Sequence, residues 1–163
     1  MLDNTGEKFK NGILLEFAKT VELFGLSPIE SRVFTILYVE GKPLTLDEMS
    51  EALGKSKTSM STSIRSLVEL NLVKRVWKKG VRKDLFQANT QLYKHFMSFY
   101  LKKWLDETEV RKEALAEIKN QTDQLASGEV DENLQNKLNN LLDFHNKLTD
   151  FFKEASKTKN DGS

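Results

Sequence analysis

Three short helices in close succession, each with its own start and stop signal, constrain the fold of this chain most. Ser27-Pro28-Ile29-Glu30 and Thr45-Leu46-Asp47-Glu48 have the pattern of a capping box, in which Ser or Thr and a later Glu bond the first free backbone amides of a helix. Ser56 is an N-cap candidate for the third helix. The corresponding stops are Gly41, Gly54 and Asn71. The pattern predicts three consecutive helices joined by tight turns.

After Asn71 the apolar period changes from helical spacing to that of β-strands. Residues 72–77 and 82–88 are short β-type runs on either side of Lys78-Lys79-Gly80-Val81, which predicts a hairpin. A helix-turn-helix followed by a hairpin is a winged helix-turn-helix, with residues 46–53 as the supporting helix and 57–70 as the recognition helix. The expected fold class is mainly α with a small β-hairpin wing.

Helical patterns flank this core on both sides. Residues 7–24 carry apolar side chains at every fourth position, and residues 90–126 read as one long helix. A last helix from about Asp131 spaces its apolar positions by alternating fours and threes: Leu134, Leu138, Leu141, His145, Leu148 and Phe152. Such a heptad seam normally packs against a partner helix, so we expect a homodimer. Packing of these helices on each other within one chain is the alternative.

These patterns divide the chain into four parts. We expect an N-terminal dimerisation helix in residues 1–26 and a winged helix-turn-helix DNA-binding domain in residues 27–89. Residues 90–157 are the predicted C-terminal helical dimerisation region. Residues 158–163, which are small and polar, are predicted to be a disordered tail.

The charge of the chain is concentrated in one stretch. Residues 55–83 contain nine basic side chains and a single acidic one, a net charge of +8, whereas the whole chain carries only +1. The remainder is therefore net −7. A basic segment on an acidic body is typical of a protein that binds a polyanion such as double-stranded DNA. A solvated, salt-bridged surface is the alternative.

The predicted recognition helix has one apolar and one polar face. Because Met60, Ile64 and Leu67 form the inward stripe, small hydroxyl and long basic side chains occupy the opposite face, where they suit a DNA major groove. The hydroxyls at the helix start also suit phosphates, and Arg82 on the wing is the candidate for a minor groove. The predicted DNA contacts are Ser56, Lys57, Thr58, Ser59, Ser61, Thr62 and Arg65 on the helix and Lys78, Lys79, Arg82 and Lys83 on the wing.

The stretch from Ser27 to Phe86 resembles the winged-helix core of MarR-type transcriptional regulators, and most closely their GbsR branch. The motifs that carry the resemblance are SKTSMSTSIRSL in the recognition helix and WKKGVRKDLF across the wing. The resemblance implies a homodimer that represses transcription by covering a promoter and is released by a small ligand. For the GbsR branch it implies a link to choline and glycine betaine.

Aromatic residues are concentrated at the start of the long C-terminal helix. Tyr93, Phe96, Tyr100 and Trp104 lie along one face of that helix. Aromatic rings can bind a quaternary ammonium ion by cation–π attraction, so these four residues are the candidate site for choline or a related ligand. Packing in the hydrophobic core or in a dimer contact is the alternative.

Other functions and sites have little support. The chain has no cysteine and only two histidines without partners at ligand spacing, so we expect no metal and no cofactor. No nucleophile–base pair or phosphate-binding glycine loop is present, which argues against an enzyme. Without an apolar span or a signal peptide, the expected location is cytoplasmic, with no membrane contact. A regulator without a ligand and a winged-helix protein-interaction module remain as alternatives.

Overall fold

Six helices and one two-stranded antiparallel sheet form the part of the chain that the computed structural model describes, residues 3–158. The fold is mainly α with a small β-hairpin, as predicted. The elements in chain order are α1 (Asp3–Glu22), α2 (Pro28–Glu40), α3 (Leu46–Leu53), α4 (Lys57–Glu69), β1 (Val73–Val76), β2 (Leu85–Ala88), α5 (Leu92–Asp123) and α6 (Glu132–Thr158). Among these residues, no helix combines the length and the apolar composition that a membrane-spanning segment needs.

The chain divides into two compact units, one up to Phe96 and the other from Met97 onwards. The boundary lies within the long helix α5. The predicted division at residues 27, 90 and 158 concerns function and stays a prediction. The predicted disordered tail lies outside the described residues except for Thr158, which is the last residue of α6.

Local capping signals set the helix boundaries in the first unit. Thr45 and Glu48 form the complete reciprocal capping box at the start of α3, and Gly54 ends that helix in the left-handed conformation at φ 63°. Ser27 also caps its helix, because its Oγ accepts from the backbone amide of Glu30 at 3.2 Å. The second bond of this predicted box differs, because the Glu30 carboxylate accepts from the Ser27 hydroxyl, at 2.8 Å, instead of from the Ser27 backbone amide.

The core of the first unit is formed by helices α2, α3 and α4 and by the base of the hairpin, and α1 adds Ala18 and Val21 to it. Phe34, Met49, Met60 and Leu67 are completely buried there. The ladder between the two strands pairs four residues with four, from Val73 to Val76 on β1, and is shorter than the two predicted runs.

The hairpin is attached to the helical core by a bridge that the sequence did not indicate. Leu44, in the connection between α2 and α3, pairs with Phe86 of β2 through two hydrogen bonds of 2.9 Å. This bridge holds the base of the hairpin against the helices.

In the second unit, one face of α6 packs on α5 and another face is open. The ring of Phe152 packs on Trp104 of α5 with centroids 6.0 Å apart, and Lys153 lies 3.5 Å from the Glu109 carboxylate. The predicted heptad seam does not stay together: Leu138, His145, Leu148 and Phe152 are half-buried, whereas Leu134 and Leu141 are exposed. Exposed Phe144 and Phe151 extend this second, open face.

Candidate nucleic-acid interface

Helix α4 is oriented by a buried stripe and by one polar contact. Met60, Ile64 and Leu67 face the core of the first unit, as their spacing predicts. On the same helix, the Ser66 hydroxyl donates to the Glu30 carboxylate of α2 at 2.9 Å. The contact explains why Glu30 does not complete its own capping box. Together with the buried stripe, it holds the rotation of α4 about its axis, which sets the side chains that reach solvent.

The solvent side of α4 carries the predicted contact residues. Lys57, Thr58, Thr62 and Arg65 are exposed, and Ser59 and Ser61 are half-exposed. The Thr62 hydroxyl donates to the carbonyl of Thr58 at 3.1 Å, so it lies close to the helix backbone. The short hydroxyl side chains leave room for the helix to approach the floor of a major groove, and the long basic side chains beside them can reach the DNA.

Ser56 acts first as a helix cap. Its Oγ accepts from the backbone amide of Ser59 at 3.1 Å, and its backbone is extended, as is usual for an N-cap. The other amides of the first turn have no partner within the helix, and the dipole there favours an anion. This geometry suits the predicted role of the α4 N-terminus in holding a phosphate.

The wing loop, residues 77–84, lies beyond the end of the ladder. The last paired residues are Val76 and Leu85, and Gly80 turns the loop at φ 84°. All four basic side chains predicted to contact DNA are exposed on it: Lys78, Lys79, Arg82 and Lys83. At its base, Arg75 donates to the Asp84 carboxylate. The wing therefore presents several cations on a narrow projection.

Asp47, at the start of α3, links the recognition helix to the wing. Its carboxylate accepts from Lys83 Nζ at 2.6 Å, and its other oxygen lies 3.4 Å from Lys57 Nζ. The hydrogen bond from Lys83 and the charge of Lys57 hold the pKa of Asp47 below its ordinary value of 3.8, so this group is ionised at neutral pH. The same bond raises the pKa of Lys83 above 10.5.

The sequence patterns alone do not identify Asp47 as part of this surface. It lies outside residues 55–83, and as the third residue of a capping pattern it had a sufficient local explanation. The pair with Lys83 spans 36 residues, so only the folded chain brings the two together. The +8 of the basic segment is therefore partly balanced in space by Asp47, and also by Asp84.

We expect Asp47→Asn to tighten binding to any DNA duplex by about threefold to tenfold at low salt. Phosphates must displace Asp47 from two lysines, and removal of its charge removes both that competition and the repulsion between this carboxylate and nearby phosphates. Fluorescence anisotropy with unrelated duplexes measures the effect. Glu113→Gln, which removes an exposed carboxylate from α5, is the charge-matched control. Weaker binding of the Asp47 variant would mean that this carboxylate is needed to hold the wing in place.

The four predicted ligand-binding rings have different surroundings. In the first unit Phe96 is only 5% exposed and packs on Phe24 and Phe34, with centroid distances of 4.5 and 5.5 Å, while Tyr93 is 61% exposed. Phe96 thus has the core-packing role given above as the alternative.

In the second unit the two remaining rings of that set are neighbours. Tyr100 is buried and its ring centroid lies 5.7 Å from that of Trp104, which is more exposed. Trp104 in turn contacts Phe152. Three of the four rings therefore contact other rings of their own unit, as in a packed aromatic cluster, whereas Tyr93 is largely open to solvent.

Comparison with known proteins identifies the family. The family model described as the MarR family matches residues 24–78, which contain α2, α3, α4 and β1. The chain is 32% identical over 138 residues to the HTH-type transcriptional repressor GbsR of Bacillus subtilis (strain 168), a match that covers 84% of this chain and 76% of that repressor. It is 37% identical over 98 residues to the HTH-type transcriptional repressor OpcR of the same strain, covering 60% of this chain but only 53% of OpcR.

A solved structure supports the fold alone. The crystal structure of a transcriptional regulator superimposes with a TM-score of 0.51 at 20% identity, covering 91% of this chain and 98% of that one. The match to GbsR over three quarters of its length is close enough to assign a family, and the matched family model contains the recognition helix. The chain belongs to the MarR family of winged helix-turn-helix proteins.

Proposed function

We propose that this protein is a transcriptional repressor that binds double-stranded DNA through α4 and the wing loop. The observation that carries the proposal is that exposed cations and hydroxyls on α4 continue, through Asp47, into the basic wing loop. One helix and one projecting loop are the two elements with which a winged helix reads a major groove and an adjacent minor groove. The relatives GbsR and OpcR are both named as repressors.

We propose further that the repressor is a homodimer. Residues 27–89 would bind DNA, and residues 1–26 and 90–157 would hold the two copies together. The support is apolar surface left open on both parts: Phe9 and Ile13 on α1 are exposed, as are Phe144 and Phe151 on α6. Soluble monomers rarely leave contiguous apolar surface open to water, so a partner is expected to cover these faces. A second copy of the chain offers the same faces.

The ligand hypothesis is that choline or a related quaternary ammonium compound releases the repressor from DNA. It rests on the resemblance of the sequence to the GbsR branch and on Trp104 of the predicted ring set, which is 38% exposed and whose π face can attract such a cation. A regulator without a ligand is the second candidate, because Phe96 is buried against two other rings. Addition of choline to the protein–DNA complex separates the two: release below about millimolar choline supports the ligand, and no change at that level eliminates choline.

The test of the main proposal is binding to DNA from upstream of the protein's own gene. Purified protein is mixed with labelled fragments and non-specific competitor at two salt concentrations. Tight, salt-sensitive binding to one fragment is expected, because a specific site adds base contacts to phosphate contacts. Uniform weak binding to every fragment would contradict sequence-specific repression at this promoter. No binding even at low salt would exclude a DNA-binding role and favour a protein-interaction module.

A further inference from the structure

The most exposed large side chain of the wing is Trp77. It directly follows the last residue of β1, and 81% of it is open to solvent. In the described part of the chain its ring contacts no other aromatic ring. Tryptophan is among the most buried residue types on average, because its large ring gains more than most side chains from leaving water. A largely solvated ring at the edge of a proposed binding surface therefore indicates a contact that forms with a partner.

The loop that carries Trp77 is open rather than closed by strand pairing. Between its two limbs the ladder below is followed by the ion pair of Arg75 with Asp84 at the base and by a turn bond from the Val81 amide to the Lys78 carbonyl, at 3.1 Å. The limbs enclose a hollow of about 520 Å³, lined by Trp77 and Val81 and by the basic side chains of Lys78, Arg82 and Lys83. The lining also includes Arg75, Val76 and the Asp84 carboxylate, so the apolar ring borders a space whose walls carry four basic side chains and one acidic one.

This chemistry favours a polyanion with apolar surface between its charges. A protein partner would be expected to bring further apolar area around the ring, yet the neighbours of Trp77 are mostly cations. In a DNA minor groove, rows of phosphates border the sugar rings and base edges. Apolar side chains enter such grooves beside arginine and lysine in many minor-groove binding proteins. The cations of the wing loop would neutralise the phosphates while the ring displaces water from the sugars.

We propose that Trp77 is a further DNA-contacting residue, an apolar wedge that enters the minor groove next to Arg82. The inference rests on the proposed function, because it requires that the wing loop reach DNA. It adds a contribution that charge alone does not supply. A wedge binds by removing apolar surface from water and releases no counterions, so its contribution is insensitive to salt.

The test compares the salt dependence of two wing variants on the fragment that the unmodified protein binds. Trp77→Ala is expected to weaken binding about tenfold, within the range of aromatic contacts to nucleic acids, with an unchanged slope of log K against log salt. Trp77→Phe, which keeps a smaller ring, should recover most of this loss. Lys79→Ala is the control and should flatten the slope by about 0.9. Because both side chains are exposed, thermal unfolding should not change.

A direct measurement uses the fluorescence of the ring. The chain has two tryptophans, so Trp104→Phe leaves Trp77 as the sole tryptophan, and excitation at the long-wavelength edge of tryptophan absorption avoids the three tyrosines. Acrylamide quenching of this emission should fall severalfold when the DNA fragment binds. If the protein binds DNA but Trp77 stays open to acrylamide, or if Trp77→Ala binds as well as the unmodified protein, the wedge is excluded and the proposed function stands. Absence of any DNA binding would overturn both.

Discussion

Arg65→Ala is expected to weaken binding to the specific DNA site by about 1–3 kcal/mol and to relax the preference at one base pair of each half-site. Arg65 lies on the exposed face of α4 and, within the described part of the chain, forms no ion pair. No carboxylate among the described residues therefore competes with DNA for its guanidinium group. Arginine forms two parallel hydrogen bonds with the edge of guanine, and loss of such a pair removes discrimination as well as affinity.

The measurement is a binding series with the specific fragment and its single-base variants. Lys79→Ala serves as the control, because a lysine that contacts a phosphate weakens all sequences equally and changes the salt slope. Arg65→Ala should instead leave the affinity for unrelated DNA almost unchanged. Equal weakening on every fragment would assign Arg65 to a phosphate, and the docking of α4 would then have to be revised.

The elements of the first unit were predictable because their signals are local. The cap of α3 needs only Thr45 and Glu48, three residues apart, and its end needs a glycine that accepts a positive φ. The inward face of α4 follows from the spacing of Met60, Ile64 and Leu67. In each case the interaction that decides the structure lies within two helical turns of sequence.

The features that escaped prediction depend on contacts between distant residues. Asp47 meets Lys83 across 36 residues, and Glu30 meets Ser66 across the same separation. In both cases a local role explained the acidic residue fully.

The wing shows the same limit. Strand propensity extended the predicted runs to Trp77 and Arg82, whereas the ladder ends at Val76 and Leu85. Where pairing stops is decided by what the strands pack against, and strand propensity does not contain that information.

The heptad seam of α6 was only partly predictable for a geometric reason. An α-helix has 3.6 residues per turn, so a seven-residue repeat drifts by about 20° per repeat on a straight helix. Apolar positions at such spacing can divide into two neighbouring faces. Leu138 and Phe152 turn toward the inside of the second unit, whereas Leu134 and Leu141 turn toward solvent. The sequence shows that both faces are apolar but does not assign each to its partner.

The open face of α6 leads to the prediction with the largest expected effect. The double variant Phe144→Glu and Phe151→Glu should convert the protein to a monomer. The two rings are 54% and 65% exposed and lie seven residues apart, close to the same side of the helix as Leu141. If this side of α6 packs against the same side of α6 in a second copy, the two rings are buried in the contact. Glutamates at these positions would place unpaired charges in a contact without water.

Loss of the dimer should reduce affinity for a two-half-site fragment by about 100-fold or more. In the proposed dimer, binding of one recognition helix places the second at a high effective concentration near its half-site, and a monomer loses this gain. Sedimentation gives the molecular mass and anisotropy gives the affinity of the same samples. The matched control, Asn139→Glu with Asn146→Glu, adds the same charges at the same spacing on exposed positions across the helix. It should stay dimeric. If the phenylalanine variant also stays dimeric, this face of α6 is not the interface, and the exposed apolar residues of α1 become the alternative.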